Sequence, residues 1–522
     1  MRLARRGAFV VLAVAFLLAA GAGVAWRLLG RREGGSPALT AAGGPPAPAD
    51  ESTISRWCSQ HHASSPPEIF ERRVWVKQID RMYAIAGVPP AGMPGVPPRD
   101  GVLAWYQERA PERIEPVRGR GELGPGPLAF RKRSFAPRGV APTPAVANVR
   151  FLKVTDPTRL DLIVSDMRHG RVALQRPYLP DSPLSVLAQV PHPCRAEPVD
   201  LDRDGVRDFL VADLGSFLPE DHEKGSVVWL RGGLGGGFTP VKLADGLGRV
   251  SDVQPADLDG DGDLDLTVAV FGWRSTGQLL YLENRTRDWS RPSFSGSTLD
   301  SRPGAIAAPV IDLDRDGRLD IVVLFAQQFE TVEALLGRGP EGPWERRVIW
   351  NAPHPAWGSS GIELVDLDGD GDLDILMANG DTLDHSQLVS WQGVRWLENR
   401  GGYPFAESLF EQLPGCHAAR AADLDGDGDL DIAACAFLPQ FSMERARGPL
   451  GLESLIWLEQ TARGSFARHS IEIHHCDYPT LDVGDFDADG DLDIAVGGYA
   501  LDPEKLGTVK YWTSIFENLK NG

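Results

Sequence analysis

The stretch Asp257-Leu258-Asp259-Gly260-Asp261-Gly262-Asp263-Leu264-Asp265, followed by Leu266-Thr267-Val268-Ala269-Val270, constrains this chain more than any other. Aspartates at relative positions one, three, five and nine can turn their oxygens onto one hard cation. Ca2+ takes six to eight oxygen ligands, and alternate aspartates in a tight loop supply them. Glycine at position six permits a turn that a side chain would obstruct. The backbone carbonyl at position seven, here that of Asp263, completes the cage.

The same four aspartates and the same glycine recur five more times. Position-one to position-nine ligands are Asp200, Asp202, Asp204 and Asp208; Asp312, Asp314, Asp316 and Asp320; and Asp366, Asp368, Asp370 and Asp374. The last two sets are Asp423, Asp425, Asp427 and Asp431, then Asp485, Asp487, Asp489 and Asp493. Position-seven carbonyls come from Val206, Arg318, Asp372, Asp429 and Asp491. Loop starts are 57, 55, 54, 57 and 62 residues apart, a period that announces a repeat architecture. The expected complement is about six Ca2+ per chain.

An EF-hand loop would end in glutamate three residues later and run on as a helix. These loops end in aspartate and run on as Phe209-Leu-Val, Leu266-Thr-Val, Ile321-Val-Val, Ile375-Leu-Met, Ile432-Ala-Ala and Ile494-Ala-Val, which read as buried strands. Each loop therefore joins two strands of a hairpin, and about 55 residues accommodate the four strands of one propeller blade. The residues resemble the FG-GAP or VCBS repeat, best known from the propeller of integrin α subunits. That resemblance implies an all-β propeller with its metal loops on one face, acting in binding, adhesion or scaffolding.

Lys153-Val-Thr155-Asp-Pro157-Thr-Arg-Leu160-Asp161 aligns with the loops but puts Lys, Thr and Pro at the first three ligand positions, so this blade lacks the metal. Counting it gives a seven-bladed β-propeller of four-stranded blades. Its ring must close, or two edges stay unpaired. After Asp493 to Gly497 and Lys510 to Phe516 the sequence provides no outer strand. Residues about 127 to 136, similar to the outer strand at Gly464 to Ile471, are expected to supply it.

Ahead of the propeller, over 127–522, residues 1–32 hold Arg2, Arg5 and Arg6, a weakly polar to apolar run from Gly7 to Trp26, and Arg27, Arg31 and Arg32. The run is long enough to span a bilayer, so either a membrane-spanning signal anchor or a cleaved signal peptide fits. The flanking arginines balance three against three and do not fix orientation; the millimolar calcium expected outside a cytosol favours a propeller placed there, periplasmic or at the cell surface. Residues 33–52 read as a flexible Gly/Pro/Ala/Ser linker. Residues 53 to about 90 show helical spacing at Ile69-Phe70, Trp75-Val76, Ile79 and Met82-Tyr83; the remainder to 126 reads as loose and rich in proline and glycine. Within this region Cys58-Ser59-Gln60-His61-His62 resembles the Cys-x-x-Cys-His site of c-type cytochromes, with His61 in place of the second cysteine. The resemblance implies one thioether at Cys58, a proximal His62 and a distal Met82; the plainer reading is a decayed motif without haem.

The net charge is -19. Setting aside the 24 loop aspartates leaves 48 acids against 53 bases, so the acidity belongs to the loops. The dispersed bases do not form a nucleic-acid surface. On the face opposite the loops the sequence places His192-Pro193-Cys194, His354-Pro355-Ala356-Trp357, Cys416-His417 and His474-His475-Cys476-Asp477. They are expected to gather at the channel rim as satisfied polar groups, with a disulfide among Cys194, Cys416 and Cys476, or else to bind a borderline metal. Aromatic loops such as Phe217 and Phe271-Gly-Trp273-Arg274 suit protein or carbohydrate ligands. No catalytic residue is identified. The alternatives to a binding module are a polysaccharide-active enzyme and a haem-linked electron-transfer protein.

Overall fold

Behind every aspartate loop the apolar run forms a strand that is buried along its whole length, as in Asp265–Val270, Asp320–Phe325 and Asp431–Ala436. Such a strand needs neighbours on both faces, and adjacent blades provide them. The structure is a computed structural model that describes residues 49–58, 64–89, 92–120, 123, 126–136, 143–182, 184–339, 344–383, 387–439, 448–501 and 511–520. Seven antiparallel sheets succeed one another, starting with Val146–Leu152, Asp161–Asp166, Arg171–Gln175 and Ser185–Gln189. The innermost strands of the second to seventh blades are Pro193–Val199, Val250–Ala256, the split pair Ala305–Ala307 and Val310–Ile311, Ser359–Val365, Cys416–Ala422 and Thr480–Gly484.

The seventh blade closes the ring. Its sheet runs Thr480–Gly484, Asp493–Gly497, Thr513–Asn518 and then Phe130–Phe135, which pairs antiparallel with the last strand from Phe130↔Asn518 to Phe135↔Thr513. The expected clasp between the two ends of the domain is therefore present, with the third strand starting slightly later than expected. Packing says the same: Val146, Val149 and Phe151 of the first blade share a core with Phe486, Ala495 and Ile515 of the seventh. That interface is as dry as the one between the second and third blades, where Leu210 and Trp229 meet Val253 and Val268.

Ahead of the ring, helices α1 (Glu51–Cys58), α2 (Val74–Ile85) and α3 (Arg99–Arg109) build a small aromatic core from Trp57, Phe70, Trp75, Tyr83 and Tyr106. Helix α3 corrects the reading of that stretch as loose. Pro97-Pro98 before its first turn and Val102, Trp105 and Tyr106 on one face carry the helical signal. Trp75 and Tyr106 stack with centroids 4.0 Å apart, and Arg99 ties α3 to Asp80 of α2 at 2.5 Å. Ala356 and Trp391 of the propeller pack against this core. No helix among the described residues is long and apolar enough to cross a membrane. The expected anchor or signal over 1–32 lies outside the described residues.

Candidate metal loops and channel mouth

Each loop is wired before any ion enters. The N–H of the position-six glycine donates to Oδ2 of the position-one aspartate in all six loops: Gly205 to Asp200 at 3.1 Å, Gly262 to Asp257 at 3.1 Å, Gly317 to Asp312 at 3.0 Å, Gly371 to Asp366 at 2.9 Å, Gly428 to Asp423 at 3.1 Å and Gly490 to Asp485 at 3.2 Å. These glycines sit at φ from 81° to 102°, beyond the left-handed well that other residues tolerate. A Cβ at Gly262 or Gly428 would touch nothing within 4 Å, so conformation and not space demands glycine. Position five likewise caps position seven: Asp261 Oδ1 accepts from the N–H of Asp263 at 3.0 Å, and Asp370 Oδ1 from that of Asp372 at 2.8 Å.

The position-nine aspartate does more than the expected ligation. It opens the buried second strand, and its two oxygens tie the loop to the rest of the blade. Asp431 Oδ2 accepts from Leu424 N–H at 3.0 Å and Oδ1 from Gln460 N–H, in the third strand, at 2.8 Å. Asp493 does the same with Phe486 at 3.2 Å and Asn518 at 2.9 Å. Burial first, with neighbouring aspartates adding repulsion, pushes the carboxyls of Asp374 and Asp431 up to about 6 and that of Asp493 to about 8. The apolar anchor also differs from expectation. Position-eight leucines such as Leu264, Leu373 and Leu430 are only partly buried, whereas Leu201, Leu313, Leu367, Leu424 and Phe486 at position two are buried.

A hard cation fits these loops. Oxygens Asp257, Asp259 and Asp265 converge within 4.8 Å of one another, as do those of Asp366, Asp368 and Asp374, and of Asp423, Asp425 and Asp431. The sets Asp200, Asp202 and Asp204 and Asp312, Asp314 and Asp316 converge likewise without their position-nine residue. Oδ1 of Asp200, Asp312 and Asp366, the same atom in three loops, is buried with no hydrogen-bond partner, which suits a metal bond. Three loops also carry an arginine: Arg231 meets Asp202 at 2.5 Å, Arg338 meets Asp316 at 3.3 Å, and Arg463 meets Asp368 at 2.9 Å. Arg207, the departure at position eight, reaches across to the carbonyl of Lys153 in the first blade.

In the first blade the aspartate at position nine is held by hydrogen bonds. Asp161, at position nine, accepts from the N–H of Thr155 at 2.6 Å, from the Thr155 hydroxyl at 3.0 Å and from Tyr178 Oη at 2.9 Å. With the Val154 N–H at 3.1 Å, four donors occupy this carboxylate.

On the opposite face the histidines and cysteines do not form one cluster. Cys194, Cys416 and Cys476 form no disulfide with one another, which overturns the expected one; each lies in a blade core or against carbonyls, as Cys476 Sγ does with Glu453 O at 3.4 Å. His354 is buried against Trp357 and Trp391, while His417 Nδ1 meets Pro479 O at 2.9 Å near the channel. His417 lines a cavity of about 170 Å3 with Phe271, Glu330, Ser360 and Asp381. Beside it, where His417 meets Phe437 edge-on, Met167, Leu214, Phe437 and Tyr499 form a buried apolar cluster. Of the cytochrome-like residues, His61 and His62 and the Cys58 side chain lie outside the described residues. Met82 lines a cavity of about 360 Å3 together with Trp57, Trp75 and Tyr106.

A family model described as FG-GAP-like repeat matches residues 200–268 and 312–377, each match beginning at a position-one aspartate. No curated protein matches the chain.

Proposed function

Because the chain is an FG-GAP repeat β-propeller, a fold that serves as a binding or scaffold module, we propose that it is a calcium-stabilised display platform outside the cytoplasm. It binds a protein or carbohydrate partner through the face opposite its aspartate loops. One observation carries this reading: the loop carboxylates are committed to their own backbone and to one shared point, with Oδ1 of Asp200, Asp312 and Asp366 left for a cation. Asp200, Asp257, Asp312, Asp366, Asp423 and Asp485, with their partners at positions three, five, seven and nine, would hold Ca2+. The ion supplies charge neutralisation and loop rigidity. Ligand binding to the native state alone stabilises it by mass action. A location outside the cytoplasm agrees with loops of this kind working at the calcium levels found there.

The test is elemental analysis joined to thermal unfolding with and without chelator. About six calcium per chain and a melting point lowered by chelation are expected. Unchanged melting after metal removal overturns the proposal.

A second reading rests on Met82, which faces the aromatic-lined cavity beside helix α1. Cys58, His62 and Met82 would hold a haem group, which would supply one-electron redox chemistry. A Soret band in protein expressed with c-type haem attachment, lost in Cys58→Ala, would establish it; its absence removes it.

A further inference from the structure

Arg249 directly precedes the innermost strand of the third blade, Val250–Ala256, at the channel mouth on the face away from the aspartate loops. The residue is only 6% exposed, yet among the described residues its guanidinium makes no hydrogen bond and no ion pair, and its Nε is buried without a partner. Its one neighbour of note is the ring of Phe271, 6.0 Å from Cζ, at the outer limit of a cation–π contact. A cation held this deep without a counter-charge is costly, and burial lowers its hold on the proton. Glu220, the acid whose charge reaches it, is exposed and already pairs with Lys224 at 3.1 Å.

The carboxylates of this neighbourhood are already engaged, Asp213 by the His192 N–H and the Ser226 hydroxyl and Asp166 by the Ala145 N–H and His169. Arg168 crosses the Phe217 ring at 4.5 Å, and Phe217 stacks on Tyr499 with ring planes 8° apart. Tyr499 feels the charge of both Arg168 and Arg249. His192 and His222 lie in the same field and are kept neutral by burial. Both arginines stand against aromatic faces, and of the two Arg249 is the one without an acceptor among the described residues, since Arg168 reaches the carbonyl of Ala500. Beside it stands Phe217-Leu218-Pro219, whose Leu218 is 52% exposed. Arginine, aromatic rings and an exposed aliphatic at one spot have the composition of a protein interface.

We propose that the channel mouth at Arg249, flanked by Arg168 and Tyr499, receives one carboxylate from an acidic segment of a protein partner. The inference deepens the binding-module reading and rests on it. One uncompensated guanidinium calls for one negative charge, and its planar fork matches a carboxylate in two hydrogen bonds. Arg168, which donates to the carbonyl of Ala500, supplies field and not a second empty fork. The exposed Leu218 then contacts apolar side chains beside the acid.

Titration calorimetry on the full chain, saturated with calcium at fixed ionic strength, tests this with an acetylated and amidated triglutamate peptide as probe. Saturable binding is expected, weakened at least tenfold by Arg249→Met and severalfold by Leu218→Asp, with no binding of a trilysine peptide. Leu218→Asp changes an exposed site and keeps the test open should Arg249→Met fail to fold. Absence of saturable binding, or equal binding by the wild type and both variants, overturns the proposal. So does a trigalacturonate that binds in an Arg249-dependent way where triglutamate does not, since the carboxylate would then come from sugar. Calcium-dependent melting is measured on the same samples: if it persists while the peptide fails to bind, this inference alone falls.

Discussion

Arg131 lies opposite Glu517 in the seventh blade, and its guanidinium binds both carboxylate oxygens of a residue 386 positions further along the chain. The pair is largely solvent-facing on the arginine side, so it contributes little stability of its own. Its position matters more than its energy. It marks the register at which the segment before the propeller becomes the outer strand of the last blade, supported by Ser134 and Ser514 hydroxyls 2.9 Å apart.

Removing residues 1–136 should therefore open the ring at one blade without unfolding the other six. Hydrogen exchange at Thr513–Asn518 would rise to that of an edge strand, while Asp265–Val270 stays protected. Equal protection of both strands in the truncated chain would show that the clasp is dispensable.

The glycine at position six and that at position four are not equivalent. Position four lies in the left-handed well, where Arg203 at 56°, Arg315 at 59° and Ala488 at 66° already stand in place of glycine. Gly428, at 102°, lies beyond it. Gly428→Ala should cost about 1–3 kcal/mol and weaken calcium binding at the sixth blade, whereas Gly426→Ala should cost about 1 kcal/mol or less. Denaturant unfolding of the two variants decides it, and equal losses would refute the distinction.

That contrast also shows how much the sequence could reveal. Aspartate and glycine spacing reports local backbone geometry, so the loops, the first blade's departure from them and the missing outer strand were legible residue by residue. What the spacing hid depends on distant partners. Asp431 reads as a ligand, but its role as a tie needs Gln460, 29 residues on in the third strand. Helix α3 was obscured by the prolines around it, although its face of Val102, Trp105 and Tyr106 was available to read. Cys194, Cys416 and Cys476 looked like a cluster because each precedes or opens an inner strand; Cys416 and Cys476 share one blade core, whereas Cys194 packs against another. Arg249 carries no motif at all, and only its burial beside Phe271 draws notice.

The arginines that enter three loops predict unequal calcium sites. Arg338, 30% exposed, sits 3.5 Å from Asp314 and 3.3 Å from Asp316, where it competes with the ion. Among the described residues no basic side chain pairs with Asp257, Asp259 or Asp261. Arg338→Ala should tighten calcium at the fourth blade by about fivefold, on the basis of roughly 1 kcal/mol for a partly exposed pair, and leave the third blade unchanged. Site-resolved calcium titration checks this; weaker binding in the variant would contradict it.

In the first blade Thr155 stands where a metal would otherwise organise Asp161. Thr155→Val removes a hydroxyl 3.0 Å from both carboxylate oxygens and should destabilise the protein by about 1–3 kcal/mol. Because no ion is involved, the loss should be the same with calcium and with chelator. A loss that calcium rescues would mean that this loop binds metal after all.

Glu330 provides the pH dependence. It is 3% exposed, holds a positive φ of 44°, and its Oε2 accepts from the Ser359 N–H at 3.0 Å. Burial, with the charge of Asp381 adding to it, pushes its carboxyl up from 4.5 to about 8. The folded protein thus keeps a proton that the unfolded chain releases near 4.5. Stability from this group is full below that pH and falls as pH rises toward about 8, because deprotonation then leaves a buried charge. Glu330→Gln keeps the acceptor for Ser359 and removes the titration. Urea midpoints measured at pH 5 and pH 8.5 in saturating calcium should drop for the wild type, by on the order of a few kcal/mol in stability, and drop less in the variant. Parallel declines in the two proteins would assign the pH dependence to other groups.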